Sequence, residues 1–346
     1  MTTPTAKLDT DLLPTEEEVE QYRRCGWYIS RSLFSDGELD AAIEASERYY
    51  ATLDKQQIDL PNGGTYQLAW WQDVGLDQLR KNDYSTLLVP ELDALLKKPI
   101  LGAIGALLAE DDVRLWHDQL LYKPPSSPEA PQAVGWHTDF GYWRTCSSPQ
   151  MLTAWIPFTD MDESIGTISF VDGSHEWPQN NHLNFFSSDL EGLEKQFNTG
   201  GAPVSKTPAV MKRGQVSFHN CRTIHGSAAN YTDQPRRSIA LHLQPGANRH
   251  VERRNDNGDL AQHSNDHLVR KVDDQPDYAD PTFCPRVGIL DDARRAREEA
   301  ARAKSVSPSV SAISFAVTCP QRHSFRPPLK SAMPLLKCCP RSTGSK

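Results

Sequence analysis

The chain has 346 residues, a net charge of −8 and 38% hydrophobic residues, enough to form a core, which excludes disorder throughout. Its longest apolar run, residues 100–109, is about half of the ~20 residues that a bilayer-spanning helix needs. All eight basic residues after residue 301 lie in a stretch without acids, so the remaining body is acidic, which excludes nucleic acid as the main partner.

The N-terminus is polar and lacks the apolar stretch of a secretory signal, which predicts a cytoplasmic protein without a membrane partner. Seven cysteines, an odd number without paired spacing, favour reduced thiols in that compartment. The sequence leaves the oligomeric state open.

The first 110 residues are predicted to be mainly helical. Residues 15–18 and 35–38 are capping-box patterns, and apolar residues at helical spacing follow each of them. Residues 27–30 between them are typical of a short strand. Two further helices are expected around residues 76–89 and 91–108, and a proline disturbs the second.

From about residue 111 the chain consists of short β-prone runs separated by Pro, Gly, Asn and Asp clusters. This pattern is typical of an all-β sandwich or barrel. The predicted strands are residues 113–122, 151–158, 167–171, 215–219 and 238–244.

The C-terminal part changes composition twice. Residues 291–304 alternate acidic and basic residues and predict an exposed helix. The basic, Ser/Pro-rich residues 305–346 predict a disordered tail or linker, and their abrupt change of composition also fits an error in the gene model. We therefore predict a single domain over residues 1–290, with a helical part (1–110), a barrel (111–250) and an irregular extension (251–290).

A His-x-Asp pair, His137 and Asp139, is the strongest local signal. In a strand these two side chains would point to the same face, where both could bind one ion. His225 follows another predicted strand, and two imidazoles with one carboxylate form the facial triad of non-haem iron(II) oxygenases. Such a triad leaves coordination positions open for a co-substrate and O₂.

Arg236 lies eleven residues after His225 in a predicted strand. Its guanidinium could hold a carboxylate in a bidentate pair, which lysine would do less well. Strand alternation places Arg236 on the polar face that lines the barrel and Arg237 on the apolar face that packs against helices. Three other histidines are not expected to bind the metal. His175 is expected to be structural, whereas His219 and His242 are expected to be polar lining or surface groups.

Taken together, these segments resemble the phytanoyl-CoA dioxygenase family of iron(II)- and 2-oxoglutarate-dependent oxygenases. The resemblance runs from about Arg24 to about Pro245. Its landmarks are residues 119–125, 136–139, 152–158, 173–175 and 225–227. One departure is the turn Glu163-Ser-Ile-Gly166, where the family commonly has an Asn-Gly pair. The resemblance implies a mainly β fold with flanking helices, a double-stranded β-helix of the jelly-roll or cupin-like type.

The resemblance also implies the site and its chemistry. His137, Asp139 and His225 would bind iron(II), and Arg236 would bind the distal carboxylate of 2-oxoglutarate. Trp155 and Ser227 would neighbour this co-substrate. The implied reaction consumes O₂ and 2-oxoglutarate, releases succinate and CO₂, and hydroxylates or otherwise oxidises a C–H bond.

Two alternatives stay open at this point: a metal-dependent non-oxygenase on the same barrel, and a binding or regulatory protein without turnover. A halogenase is disfavoured because Asp139 occupies the position that chloride would need. No basic cluster for the phosphates of an acyl-CoA is apparent, so a small metabolite, of secondary metabolism, is the expected substrate. An aromatic set either covers the cavity mouth or packs between helices and barrel: Tyr66, Trp70, Trp71, Phe140, Tyr142 and Trp143.

Overall fold

The computed structural model describes residues 8–51, 57–60, 63–67, 77–127, 129–255 and 258–306. Its α-helices are α1 (Glu16–Cys25), α2 (Asp36–Ala51), α3 (Pro90–Leu96), α4 (Pro99–Ala109), α5 (Leu190–Glu194), α6 (Asn265–Leu268) and α7 (Leu290–Val306). Its strands are β1 (Trp27–Ile29), β2 (Gln57–Asp59), β3 (Thr65–Gln67), β4 (Arg80–Asp83), β5 (Val113–Lys123), β6 (Val134–His137), β7 (Leu152–Pro157), β8 (Ile168–Val171), β9 (Lys206–Pro208), β10 (Ser217–Asn220), β11 (His225–Ser227), β12 (Arg236–Pro245), β13 (Lys271–Val272), β14 (Gln275–Pro276) and β15 (Arg286–Gly288).

Both predicted capping boxes are confirmed. The backbone N–H of Glu18 donates to the Thr15 hydroxyl, and the Thr15 N–H donates to the Glu18 carboxylate at 2.7 Å. Ser35 and Glu38 make the same reciprocal pair before α2. Helix α1 ends at Gly26, whose φ of +82° is open to glycine at little steric cost.

The helix predicted at 76–89 is wrong. Residues 80–83 form strand β4, which pairs with β5, and a 3-10 turn follows at Ser85–Leu87. The turn is fixed by the Asp118 carboxylate, which accepts hydrogen bonds from the hydroxyls of Ser85 (2.7 Å) and Thr86 (2.6 Å). The helix predicted at 91–108 is two helices, because α3 and α4 each begin at a proline, which suits the first helical turn.

Two antiparallel sheets form the barrel. The larger has the strand order β1-β10-β7-β12-β5-β15, with β4 also paired to β5, and the smaller has the order β6-β11-β8-β9. The five predicted strands are confirmed to within two residues at each end, and β6, β9 and β11 were not predicted as strands. Side chains of both sheets line one interior cavity, so the sheets face each other as the predicted double-stranded β-helix requires.

The larger sheet separates an apolar outer layer from a polar interior. On β12, Ile239, Leu241 and Leu243 are buried in the core that helices α1–α4 also form. Arg237 lies on this outer side and pairs with Glu47 of α2 at 2.9 Å. The opposite face of the same strand points into the barrel, as the alternation predicts.

The part of the chain after the barrel packs against it. Strand β15 pairs with β5, and α7 buries Ala293 in the core while most of its other described side chains are exposed. Residues 307–346, on which the predicted tail falls, lie outside the described residues. The four described cysteines form no disulfide and are buried: Cys25, Cys146, Cys221 and Cys284. None of the described helices combines the length and apolarity needed to span a bilayer.

Candidate metal centre and co-substrate pocket

The end of β6 and the start of β11 bring three sequence-predicted residues together. His137 is the last residue of β6, and His225, the first of β11, is its partner in the antiparallel register. From the sequence, Asp139 is considered as part of a strand. It instead begins a 3-10 turn at Asp139–Gly141, which directs its carboxylate towards both histidines. One ligand atom from each residue lies within 4.8 Å of the others, and all three residues are buried.

Hydrogen bonds to the backbone fix both imidazoles in the form that binds a metal. Nδ1 of His137 donates to the Gly135 carbonyl oxygen at 2.8 Å, and Nδ1 of His225 donates to the Thr223 carbonyl oxygen at 3.0 Å. Each Nε2 therefore keeps its lone pair, and each lies 3.7 Å from Asp139 Oδ1. That distance is too long for a hydrogen bond but suits two ligands of one ion.

The charge states agree with a metal centre. Burial lowers the pKa of His137. Burial and the neighbouring His137 lower the pKa of His225 well below its usual value, so both histidines are neutral near pH 7. Burial alone would raise the pKa of Asp139, but His225 and His219 outweigh it and hold that pKa well below its usual range. Two neutral imidazoles and one carboxylate are the donor set of a facial triad.

The second oxygen of Asp139 is held by residues that the sequence did not single out for this role. The Thr153 hydroxyl donates to Asp139 Oδ2 at 2.6 Å and accepts from His242 Nδ1 at 2.7 Å. His219 Nε2 lies 3.4 Å from the same oxygen. His219 and His242 are thus buried lining groups, one of the two locations expected for them.

Two buried basic side chains, Arg236 and Lys123, meet at the Ser227 hydroxyl beside the triad, and Arg236 lines the inner cavity. The Arg236 guanidinium is 1% exposed, and its Nη1 donates to the Gly166 carbonyl oxygen at 2.5 Å and the Ser227 hydroxyl at 3.2 Å. Lys123 Nζ donates to the same hydroxyl at 2.6 Å. Burial lowers the pKa of Arg236 to about 10, so it remains charged at neutral pH.

These cations have neutral partners in the structure. Within the described part of the chain, Arg236 and Lys123 donate hydrogen bonds to backbone carbonyl and hydroxyl oxygens and to no carboxylate. Burial and the neighbouring Arg236 lower the pKa of Lys123 well below its usual value. Bound carboxylate would relieve this repulsion, so the pocket is suited to an anion.

The remaining predicted residues line the same cavity. The Trp155 ring lies 5.5 Å from the Arg236 guanidinium carbon, and its indole N–H donates to the Ser238 hydroxyl at 3.0 Å. Gly166, in the turn that departs from the family pattern, has φ +69° and supplies the carbonyl that Arg236 binds. Trp155, Ser227, Arg236 and the triad all line one inner cavity.

Lys123 is a residue that the sequence analysis missed, because the Pro-rich composition after it suggested a loop. It is instead the last residue of β5 and the register partner of Arg236. A strand that ends on a lysine opposite a predicted inward arginine is the signal that could have found it.

A second, outer cavity shares His137, Asp139, Gln119 and Phe185 with the inner one. Of the predicted aromatic set, Tyr142 and Trp143 line it, whereas Phe140 is buried in a core cluster that Tyr66 also contacts. Trp70 and Trp71 lie outside the described residues. His175 packs over Gly26 beyond these cavities, and its Nε2 contacts the Arg23 carbonyl oxygen at 3.0 Å.

Comparison with known proteins yields one family and several distant relatives. The model of the phytanoyl-CoA dioxygenase (PhyH) family matches residues 22–238. The ectoine dioxygenase of Bordetella bronchiseptica is 25% identical over 245 residues, which cover 65% of this chain and 73% of that protein. A probable alpha-ketoglutarate-dependent hypophosphite dioxygenase of Stutzerimonas stutzeri is 26% identical over 234 residues, with coverages of 65% and 77%. The crystal structure of SnoK, a non-heme alpha ketoglutarate dependent carbocyclase from nogalamycin biosynthesis, superposes with a TM-score of 0.57 at 21% identity, covering 78% of this chain and 96% of SnoK, and shows the same fold.

Proposed function

The chain belongs to the phytanoyl-CoA dioxygenase family of iron(II)- and 2-oxoglutarate-dependent oxygenases, and we propose that it hydroxylates, or otherwise oxidises, a C–H bond of a small-molecule metabolite. The observation that carries this proposal is the buried triad of His137, Asp139 and His225, in which both Nε2 atoms lie 3.7 Å from the same carboxylate oxygen. O₂ would be the second co-substrate, and succinate and CO₂ the products of 2-oxoglutarate.

In this proposal His137, Asp139 and His225 are the iron ligands. The donor set fits iron(II), because three ligands on one side of the ion leave positions for a chelating co-substrate and O₂. Iron bound there supplies the redox chemistry that couples decarboxylation of 2-oxoglutarate to oxidation of the substrate. The chain contributes ligands whose tautomers and orientation are fixed before the ion binds.

Arg236 is proposed to hold the distal carboxylate of 2-oxoglutarate. Its buried Nε has no hydrogen-bond partner among the described residues, and its side chain lines the inner cavity next to Ser227. Ser227 orients both cations, and Trp155 forms a wall over the guanidinium. Arg236, Ser227 and the three proposed iron ligands line one cavity, which supports the proposal that one small dianion reaches both groups.

A small-molecule substrate is favoured over an acyl-CoA. Lys81 is the one lysine or arginine in the described lining of the outer cavity, and it is already paired with Asp83 at 3.0 Å. The phosphates of coenzyme A would require further cations there.

Formation of succinate from 2-oxoglutarate, without added substrate, tests the proposal. We expect slow succinate release that requires both Fe(II) and O₂ and that stops when either is removed. A metal-dependent non-oxygenase or a non-catalytic binding protein would release none, so the absence of succinate from iron-loaded, folded protein would refute the proposal.

A further inference from the structure

The wall of the outer cavity carries polar side chains that the iron and 2-oxoglutarate sites do not use. The cavity is open to solvent on one side and encloses about 230 Å³. Asp83 and Lys81 stand two residues apart on β4, and Lys81 Nζ lies 3.0 and 3.1 Å from the two Asp83 oxygens. The two opposite charges cancel, but the pair still offers the Asp83 carboxylate as a hydrogen-bond acceptor beside the Lys81 ammonium group as a donor.

His117 is a buried polar residue of this wall whose hydrogen-bonding capacity is unused. It is 3% exposed, and neither of its ring nitrogens has a hydrogen-bond partner among the described residues. Burial and the neighbouring His242 lower its pKa well below the usual value, so it is neutral and offers one donor and one acceptor. A buried polar group left unpaired is destabilising, and a bound polar molecule would relieve that penalty.

The spacing of these groups selects the kind of ligand. His117 Nδ1 lies 3.9 Å from Asp83 Oδ1, which is too far for a direct hydrogen bond. One oxygen atom can lie about 2.8 Å from both atoms, so a single hydroxyl can donate to Asp83 and accept from His117. A hydroxyl satisfies both groups, whereas a carboxylate would repel Asp83 and a methyl group would leave both unpaired.

The segment after the barrel completes the wall. His263 stacks on Trp116 with ring centroids 4.6 Å apart, and its Nδ1 accepts from the Asn265 N–H, which leaves Nε2 as a donor. Gln262 and Ser264 line the cavity beside it. These residues lie beyond residue 238, where the family match ends, so this part of the wall is not described by the family model.

Aromatic side chains also line the cavity. They are Tyr142, Phe185 and Phe186, and Phe186 is 59% exposed. A lining that combines flat apolar faces with hydroxyl-binding groups suits a ring whose edge is polar and whose faces are apolar.

We propose that the outer cavity binds the molecule to be oxidised, and that this molecule is a hydroxyl-bearing ring compound of the sugar or cyclic-polyol class. Asp83 and His117 bind one ring hydroxyl, and Lys81 and His263 bind its neighbours. This inference rests on the proposed oxygenase function, because it names the substrate class of the same site.

Saturation-transfer NMR on the full chain tests the inference with four probes: methyl α-D-glucopyranoside, myo-inositol, dodecanoate and coenzyme A. We expect transfer to the two polyols and little to the others. Asp83→Asn and His117→Phe should each weaken polyol binding by about tenfold or more, as loss of a hydrogen bond to a charged or buried group implies. The matched control is Asp160→Asn, which changes an exposed Asp–Lys pair of the same type (Asp160–Lys212, 2.8 Å) and should leave binding unchanged.

Stronger binding of dodecanoate or coenzyme A, or polyol binding that survives in both cavity variants, would overturn the inference. Thermal unfolding of each variant shows whether it is folded, and His117→Asn, which keeps a polar side chain, replaces His117→Phe if the latter does not fold. The oxygenase proposal fails separately: polyol binding without succinate formation refutes it alone, and succinate formation without polyol binding refutes the substrate class alone.

Discussion

Thr153 is expected to control iron affinity without touching the ion. Its hydroxyl is the link between Asp139 Oδ2 (2.6 Å) and His242 Nδ1 (2.7 Å), and it is 2% exposed. Thr153→Val keeps the shape of the side chain but removes both hydrogen bonds. A hydrogen bond to a charged group contributes roughly 1.5–3 kcal/mol, equivalent to about a tenfold to somewhat more than a hundredfold change in affinity. Loss of groups that orient metal ligands typically has an effect of about the same size.

The assay is the dissociation constant of Co(II), a stable substitute for iron(II), measured by competition with a chromophoric chelator. We expect Thr153→Val to raise it at least about tenfold. Thr153→Ser, which keeps the hydroxyl, should stay close to the parent protein. The Val variant should also unfold at a lower temperature, because the buried His242 N–H loses its partner. Equal metal affinity in the parent and the Val variant, both folded, would refute the positioning role of Thr153.

Three further predictions follow from the site and the chain. Each of His137→Ala, Asp139→Ala and His225→Ala should abolish 2-oxoglutarate turnover while the protein stays folded, because the apolar core lies on the other side of the larger sheet. Normal turnover in any one of these variants, with one equivalent of iron bound, would disprove the triad. Arg236→Ala should raise the KM for 2-oxoglutarate by an order of magnitude or more, whereas Arg237→Ala, on the outer face with Glu47, should change it only slightly. Titration of 2-oxoglutarate against both variants measures this, and a larger effect of Arg237→Ala would show that the two arginines are assigned to the wrong faces. A chain truncated after residue 304 should fold and turn over 2-oxoglutarate normally, since the removed residues are rich in Ser and Pro, as is typical of a disordered segment. Loss of activity or of the thermal transition would show that the tail is required.

Local patterns in the sequence were sufficient for the residues of the proposed iron site. A two-residue spacing brought His137 and Asp139 together even though the strand ends at His137, because the 3-10 turn that follows keeps the carboxylate on the same side. Strand alternation placed Arg236 inside and Arg237 outside. The apolar residues of β12 that share the face of Arg237 must point towards the helices, so Arg236 points into the barrel. Both results depend only on neighbours along the chain.

The groups that support the site depend on pairing between strands far apart in sequence. His219, Thr153, His242 and His117 are successive register partners on β10, β7, β12 and β5, and they form one polar row across the barrel. Nothing in the local sequence of any one strand predicts this row, because register is set by contacts across the sheet.

The same reason explains the wrong helix at 76–89. Its residues have no strong local preference that would exclude a helix, and pairing with β5 and capture by the Asp118 carboxylate decide the outcome. The sequence by itself therefore determined which side chains could bind iron and 2-oxoglutarate. The tertiary structure alone decided which groups orient them and which polar wall the substrate meets, since both arise where distant strands and the segment after the barrel are brought into contact.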